Sequence, residues 1–309
     1  MSIIAIEIGG TKQQIAVGET DGTILELRSV KLGSGTNPQN IISWLDGNIA
    51  DFRKSYPISA ISVGYGGPVD LESGTVICSM QVDGWRDIRL RDHFSEKFSL
   101  PCCLLNDSDC GGLGELRCGA GRGSRKLFYT NIGTGIGGSI LIDGRLYTGS
   151  GRGSGEIGHT WTLDYRTGKL DELENVCSGP AVERALNTKG YVPRDSSLYA
   201  LLENGSMLCC ADLGRAAEQG DAFACRELDN IADSFACAVS AAVSLLAPDC
   251  VVIGGGLANM GETLIGRIRD RLSFYSYKAF NGYYTVKKSE LLDSAVIVGA
   301  LAAAENITG

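Results

Sequence analysis

Between Lys126 and Gly144 the chain runs apolar segment, glycine-dense turn, apolar segment, and that order limits what the stretch can become. Gly133, Gly135, Gly137 and Gly138 stand in one short loop. The spacing Gly133-x-Gly135-x-x-Gly138 satisfies the dinucleotide fingerprint, but that fingerprint needs a helix after its loop, so that the helix N-terminus faces a pyrophosphate. Here Ser139-Ile140-Leu141-Ile142 follows and Asp143-Gly144 turns it, which spells a strand. Strand, glycine turn and strand predict a hairpin. A plain hairpin turn needs one or two glycines. The surplus predicts a loop whose backbone N–H groups converge on an anion with no Cβ in the way. The stretch closes on Glu156-Ile157-Gly158-His159, where a carboxylate and an imidazole can grip hydroxyls. A phosphate at one end and a sugar-like substrate at the other is the expectation.

Two further glycine clusters fit that reading. Residues 3–8, IIAIEI, form a strand whose alternation Glu7 interrupts just before Gly9-Gly10-Thr11-Lys12. Gln14–Val17 resume as a strand and Asp21-Gly22 turns into Thr23–Val30, so this first glycine turn is a hairpin as well. Thr11 offers a hydroxyl and Lys12 a charge, but the upstream glycine spacing and following helix of a Walker loop are missing. Gly254-Gly255-Gly256 instead follows the buried strand Asp249–Ile253 and precedes a helix over Gly261–Leu272, an order suited to close approach by a nucleotide.

The remaining pattern places these clusters on an α/β chain. A helix over Ile41–Ser55, a strand over Ala60–Tyr65 and the turn Gly66-Gly67-Pro68 follow the first three strands, which predicts a mixed sheet with helices on its faces. After a helix over Arg91–Phe98, the short strand Cys102–Leu105 runs into Asn106-Asp107-Ser108-Asp109 and a small-residue helix from about Cys110 to Arg117. An Asn-Asp pair at a strand's C-terminal end suits catalysis and helix capping equally well. GAGRGS at 119–124 reads as a domain boundary. Beyond it, helices are expected from about Pro180, over most of 196–247 and over 295–306.

Composition removes several classes. A chain of 309 residues is long enough for two domains. Its net charge of −8 speaks against nucleic-acid and anionic-membrane partners. No apolar run of membrane-spanning length stands out, and the N-terminus lacks a basic segment with a cleavage site, so a cytosolic protein is expected. Eleven cysteines, an odd number without C-x-x-C spacing, read as free thiols.

Taken together, IEIGGTK at 6–12, GYGGPVD at 64–70, LLNDSDCGGLGE at 104–115, NIGTGIGGSILIDG at 131–144, GSGEIGH at 153–159, SGPA at 178–181 and VVIGGGLA at 251–258 resemble the ROK family, and they do so in the family's order along the whole chain. That family groups sugar kinases with related repressors. The resemblance implies an α/β, two-domain actin-like ATPase (ribonuclease-H-like) fold with the active site in the cleft between domains. It places an N-terminal domain at 1–118, a C-terminal domain at 119–294, and a last helix near 295–306 packed back on the first. It implies an ATP-dependent hexose or amino-sugar kinase using Mg²⁺, commonly a homodimer. By the same resemblance Asp107 is the general base, and Asn106, Gly67, Glu156, His159 and Glu174 hold the sugar. Gly9, Gly10, Thr11 and Lys12 with Gly133, Thr134 and Gly135 enclose phosphates, and Gly254, Gly255 and Gly256 face the adenosine. Two departures stand out. Glu7 occupies the place of the family's usual Asp, a possible contact to Mg²⁺. The cysteine-rich zinc segment is replaced by RTGKLDELENVCSG, with Cys177 as its only cysteine, so no zinc site is expected. A sugar-responsive regulator or a non-catalytic sugar-binding protein is the alternative.

Overall fold

The computed structural model describes residues 2–33, 35–79, 82 and 84–308. The chain divides into two compact units, one of Met1–Ser124, Ser139–Ser154 and Asp293–Gly309, the other of Arg125–Gly138 and Gly155–Leu292. The first stretch holds β1 (Ser2–Ile8), β2 (Lys12–Gly18), β3 (Ile24–Lys31), α1 (Pro38–Ser55), β4 (Ile58–Tyr65), β5 (Val69–Asp70), β6 (Thr75–Cys78), β7 (Arg86–Ile88), α2 (Leu90–Phe98), β8 (Cys102–Asn106) and α3 (Asp107–Cys118). Then come β9 (Lys126–Ile132), β10 (Ile136–Ile142), β11 (Arg145–Tyr147), β12 (Trp161–Asp164), β13 (Lys169–Glu172), α4 (Leu173–Cys177) and α5 (Gly179–Leu186). The chain ends with α6 (Ser197–Glu203), α7 (Cys210–Glu218), α8 (Ala222–Leu246), β14 (Cys250–Gly254), α9 (Glu262–Tyr275), β15 (Thr285–Lys288), α10 (Ala295–Ala303) and α11 (Glu305–Thr308).

The first unit is built on a mixed sheet of order β3-β2-β1-β4-β8, antiparallel from β3 to β1 and parallel from β1 to β8. Every residue of β1 is buried, so its alternation feeds two cores. Ile4, Ile6 and Ile8 join Ile41, Leu45, Ile49 and Phe52 of α1 and Leu90, Phe94 and Phe98 of α2. Ile3 and Ala5 face the other way, among Ala16, Ala60, Cys110 of α3 and Ile297, Ala300 and Leu301 of α10. The small residues on that face let the helices come close. A Cβ added to Gly299 would lie 1.7 Å from the Cys110 carbonyl oxygen, so α10 meets α3 backbone to backbone. By the same alternation Glu7 falls on the α3–α10 face, and that fixes its chemistry below. The three-stranded sheet β5-β6-β7 has strands of two to four residues, too short to show a period in sequence.

A second five-stranded sheet has the order β11-β10-β9-β14-β15, with β14 parallel to both its neighbours. β12 and β13 form a separate hairpin in which Trp161 pairs with Glu172 and Leu163 with Leu170. The core helix of the second unit is α8, capped by Asp221 through the N–H groups of Phe223 and Ala224. Its 25 residues include an 18-residue window of mean hydropathy 1.2, long and apolar enough by length and composition to cross a membrane, which corrects the expectation that no run has that length. Half of that window is buried inside the protein. Leu228, Ile231, Phe235 and Val239 line its buried face at helical spacing, so its apolarity has a packing cause. All eleven cysteines are unpaired, and burial pushes the Cys177 and Cys210 thiols up to about 12.

Candidate functional site

In the first unit, Asn106 and Asp107 differ in their place at the start of α3. Asn106 is the helix cap: its Oδ1 accepts the Ser108 N–H at 2.8 Å, and its Nδ2 donates to the Gly67 carbonyl at 3.0 Å. One amide therefore ties the Gly66-Gly67 turn to the start of α3. Asp107 is already inside α3, three residues before the helix start expected from sequence, because the cap lies at Asn106. Its Oδ1 accepts from the Ser108 N–H at 2.7 Å. Its Oδ2 lies over Gly66, where a Cβ would stand 3.2 Å away. A carboxylate in the first turn of a helix is also favoured by the helix dipole.

Beside it, the Gly9–Thr11 turn closes with the Gly9 N–H donating to the Lys12 carbonyl at 3.1 Å. Among the described residues, the N–H groups of Gly10 and Thr11 take no protein acceptor. Glu7 is 9% exposed and pairs across the strands with Gln14, whose Nε2 donates to Oε2 at 3.0 Å. Burial raises its pKa from 4.5 to about 7, Lys12 opposes this, and the carboxylates of Asp107 and Asp293 add to it. Glu7, Lys12 and Asp107 thus share one electrostatic neighbourhood.

In the second unit, the Gly133–Gly135 turn is closed by the Gly133 N–H on the Gly135 carbonyl at 3.0 Å. The N–H groups of Thr134 and Gly135 take no protein acceptor among the described residues. The next two donors are used internally: Ile136 donates to Glu174 Oε2 at 2.7 Å and Gly137 to Asn131 Oδ1 at 3.1 Å. Two of the four glycines have a packing cause. A Cβ at Gly135 would lie 2.6 Å from Glu174 Oε2, and one at Gly138 would lie 2.6 Å from the Gly155 carbonyl. What sets this turn apart is the adjacent pair of N–H groups that take no protein acceptor among the described residues.

Gly254-Gly255-Gly256 divides in the same way. Cβ atoms at Gly254 and Gly255 would run into Tyr129 and the Ile132 backbone, both at 2.6 Å, whereas Gly256 faces open space. A 3₁₀ turn over Gly256–Met260 lies between these glycines and α9, which starts at Glu262, one residue after the start expected from sequence. The positive φ of Gly261 breaks the two apart. Gly133 lies against this segment, since its Cβ would be 3.5 Å from the Gly256 nitrogen, and its carbonyl accepts the Gly179 N–H at 2.8 Å. Gly133 thus stands against both Gly179 and Gly256.

Glu156, His159 and Glu174 are brought together. Burial raises the Glu156 pKa, His159 lowers it and Glu174 raises it. His159 Nδ1 lies 2.9 Å from Glu172 Oε2, and that bond raises its pKa. Glu172 was not singled out in sequence. Only the pairing of β12 with β13 brings it to the histidine. Among the described residues no three His, Cys, Asp or Glu side chains cluster as metal ligands, and the lone Cys177 is buried with its Sγ on the Ile231 carbonyl.

Each of the two mixed α/β units carries a glycine hairpin with two adjacent backbone N–H groups that take no protein acceptor among the described residues. Residues 3–307 match the ROK family, and the chain belongs to that family. It is 31% identical to a glucokinase of Thermotoga maritima over 97% of this chain and 96% of that one. It is 27% identical to a xylose repressor of Caldicellulosiruptor bescii, covering 97% of this chain and 77% of the repressor. The fold matches a ROK family glucokinase from Streptomyces griseus, solved with glucose and AMPPNP, with a TM-score of 0.84, 26% identity and coverage of 99% and 100%.

Proposed function

We propose that this protein is an ATP-dependent kinase that transfers the γ-phosphate of Mg-ATP to a hydroxyl of a hexose or amino sugar. The observation that carries the reading is the pair of glycine hairpins, each with two adjacent N–H groups that take no protein acceptor among the described residues. Donors of that kind suit phosphate oxygens, and positioning with charge stabilisation is most of what phosphoryl transfer asks of a protein. Similarity to a glucokinase along nearly the whole chain supports the same reading.

In this reading Asp107 accepts the proton of the attacking hydroxyl through Oδ2, the oxygen over Gly66. Asn106 holds Asp107 and Gly67 in place and keeps one amide hydrogen for the sugar. Glu156, His159 and Glu174 take ring hydroxyls, and Glu172 orients the imidazole. Gly9–Lys12 and Gly133–Gly135 receive phosphates, and Gly256 lets the nucleotide approach. Mg²⁺ carried by ATP would neutralise phosphate charge. Glu7 would serve the metal or its water as a carboxylate, its proton leaving more readily with a cation near. ADP release from Mg-ATP, measured across a panel of hexoses and amino sugars, tests the function. Turnover that depends on one sugar supports it, and sugar binding without ADP release overturns it. That second outcome would favour a sugar-responsive regulator, a reading that the likeness to a xylose repressor also supports.

A further inference from the structure

α4 is a single helical turn of five residues, too short to hold itself. Yet it carries Glu174, whose Oε2 fixes the Ile136 N–H beside the glycine turn at 2.7 Å. Its far end is held from outside. The Val176 carbonyl, left without a partner in a next turn, accepts from Arg166 Nη1 at 2.8 Å. A cation at a helix C-terminus is also favoured by the dipole.

Arg166 comes from the turn between β12 and β13 and is itself anchored. Its Nη2 donates to Glu227 Oε1 at 3.0 Å, and its guanidinium lies 4.3 Å from the centre of the Tyr165 ring. Glu227 stands on α8, 3% exposed, and accepts also from the hydroxyls of Tyr165 and Tyr191, both at 2.7 Å. The planar guanidinium is what allows one side chain to reach a carboxylate and a backbone carbonyl together, which an ammonium does not do. A buried ion pair of this kind adds little net stability over apolar residues of the same volume. What apolar residues cannot do is hold a carbonyl in a fixed place.

We propose that Arg166, held on Glu227, is a positioning residue: through the Val176 carbonyl it fixes α4, and with α4 the Glu174 carboxylate that orders the Gly133–Gly135 turn. The role rests on reading that turn as the phosphate cradle of a sugar kinase.

The test is the double substitution R166M/E227L, which removes both charges of the pair; Asp164, 3.7 Å from Arg166 Nη1, keeps its bonds from the backbone N–H of residue 166 and the Thr167 hydroxyl. Tyr165 and Tyr191 line a cavity of about 440 Å³, room enough for water to take the place of the lost carboxylate. Amide hydrogen exchange at Ile136 is the readout that needs no activity. It should quicken by about tenfold, the size of one weakened charge-assisted hydrogen bond, while exchange at Val251–Ile253 in β14 stays slow. The Michaelis constant for ATP should rise by a similar factor with kcat little changed. Exchange at Ile136 as slow as in the native protein overturns the proposal, and so does faster exchange shared equally by β14, which marks a structural role only. Should the double variant not fold, R166K carries the same test, because its ammonium keeps the charge beside Glu227 but loses the second contact. Native protein that shows the protected Ile136 yet never turns over ATP with any sugar overturns the kinase reading and leaves the positioning standing.

Discussion

In the β1–β2 hairpin the turn Gly9–Thr11 has its own charges at hand, Glu7 before it and Lys12 after it. In the β9–β10 hairpin the turn Gly133–Gly135 contains no charge and is held from elsewhere, by Glu174 on α4 through Ile136 and by the Gly179 N–H on the Gly133 carbonyl. The exposed donors are the same in both, a pair of adjacent backbone N–H groups. The support differs in range. The first hairpin is local: within eight residues its sequence contains the turn, the cation and the acid. The second depends on contacts across about forty residues. Local support ties the first hairpin to protonation, because a buried acid titrates. Distant support ties the second to geometry, because its donors stand where α4 stands.

The largest effect is expected in the unit of the first hairpin. Asp107→Asn should lower sugar-dependent ADP release by about 10²–10⁴-fold, the usual size of a lost general base. Since Asn106 is the cap, the substitution leaves α3 capped, and the melting temperature should change little. A variant that folds and turns over within a few-fold of native would make Asp107 a helix-dipole residue and nothing more.

Glu7 gives the next effect, and its sign follows from burial. The folded chain holds the Glu7 proton up to about pH 7, whereas the unfolded chain releases it from about 4.5. Stability from this group is therefore full below pH 4.5 and is lost as pH rises through 7. Glu7→Gln has no such loss. Its unfolding free energy should match native at pH 4.5 and exceed it by pH 8, by on the order of 3 kcal/mol. A stability difference that does not vary with pH would show that Glu7 is ionised throughout, and the first hairpin would lose its link to protonation.

The third effect probes the second hairpin. Glu174→Ala removes the acceptor of the Ile136 N–H as well as a candidate sugar ligand, so the Michaelis constants for ATP and for sugar should both rise, each by about tenfold. Glu174→Gln keeps an oxygen for Ile136 and loses the charge, and should raise the sugar constant alone. If Gln and Ala behave alike toward ATP, Glu174 does not support the turn.

Much of this was legible in sequence because it is local. The strands around both glycine turns, the long helix α8, and the Asn-Asp pair at the end of β8 all announce themselves by period or by neighbouring residues. Glu172 and the Arg166–Glu227 pair do not, since strand pairing and helix packing bring them to their partners across 13 and 61 residues. The glycines misled in one respect. Gly135, Gly138, Gly254 and Gly255 are small because other atoms stand where a Cβ would go, and sequence cannot tell such a glycine from one that makes room for a ligand. Glu7 was legible as an odd acid at a strand's end, but its burial against α3 and α10 came only with the fold.

The smallest expected effect is none, and it concerns what holds α4. A metal bound beside this helix would support the second hairpin by a means absent from the first, and Arg166 would then be secondary. Structural zinc needs four ligands of the Cys and His kind, and the segment 166–179 offers Cys177 alone. That thiol is buried against α8, and burial pushes its pKa up to about 12, which disfavours the thiolate that a metal requires. His159 would add one ligand at most, so the two together fall short of four. Arg166 also brings a positive charge to the end of α4, where a divalent cation would be repelled. Purified protein should therefore carry no stoichiometric zinc by elemental analysis. Incubation with a strong chelator should leave both the melting temperature and the slow exchange at Ile136 unchanged. One zinc per chain, together with faster exchange at Ile136 after chelation, would mean that a metal and not the Arg166–Glu227 pair holds the second hairpin in register.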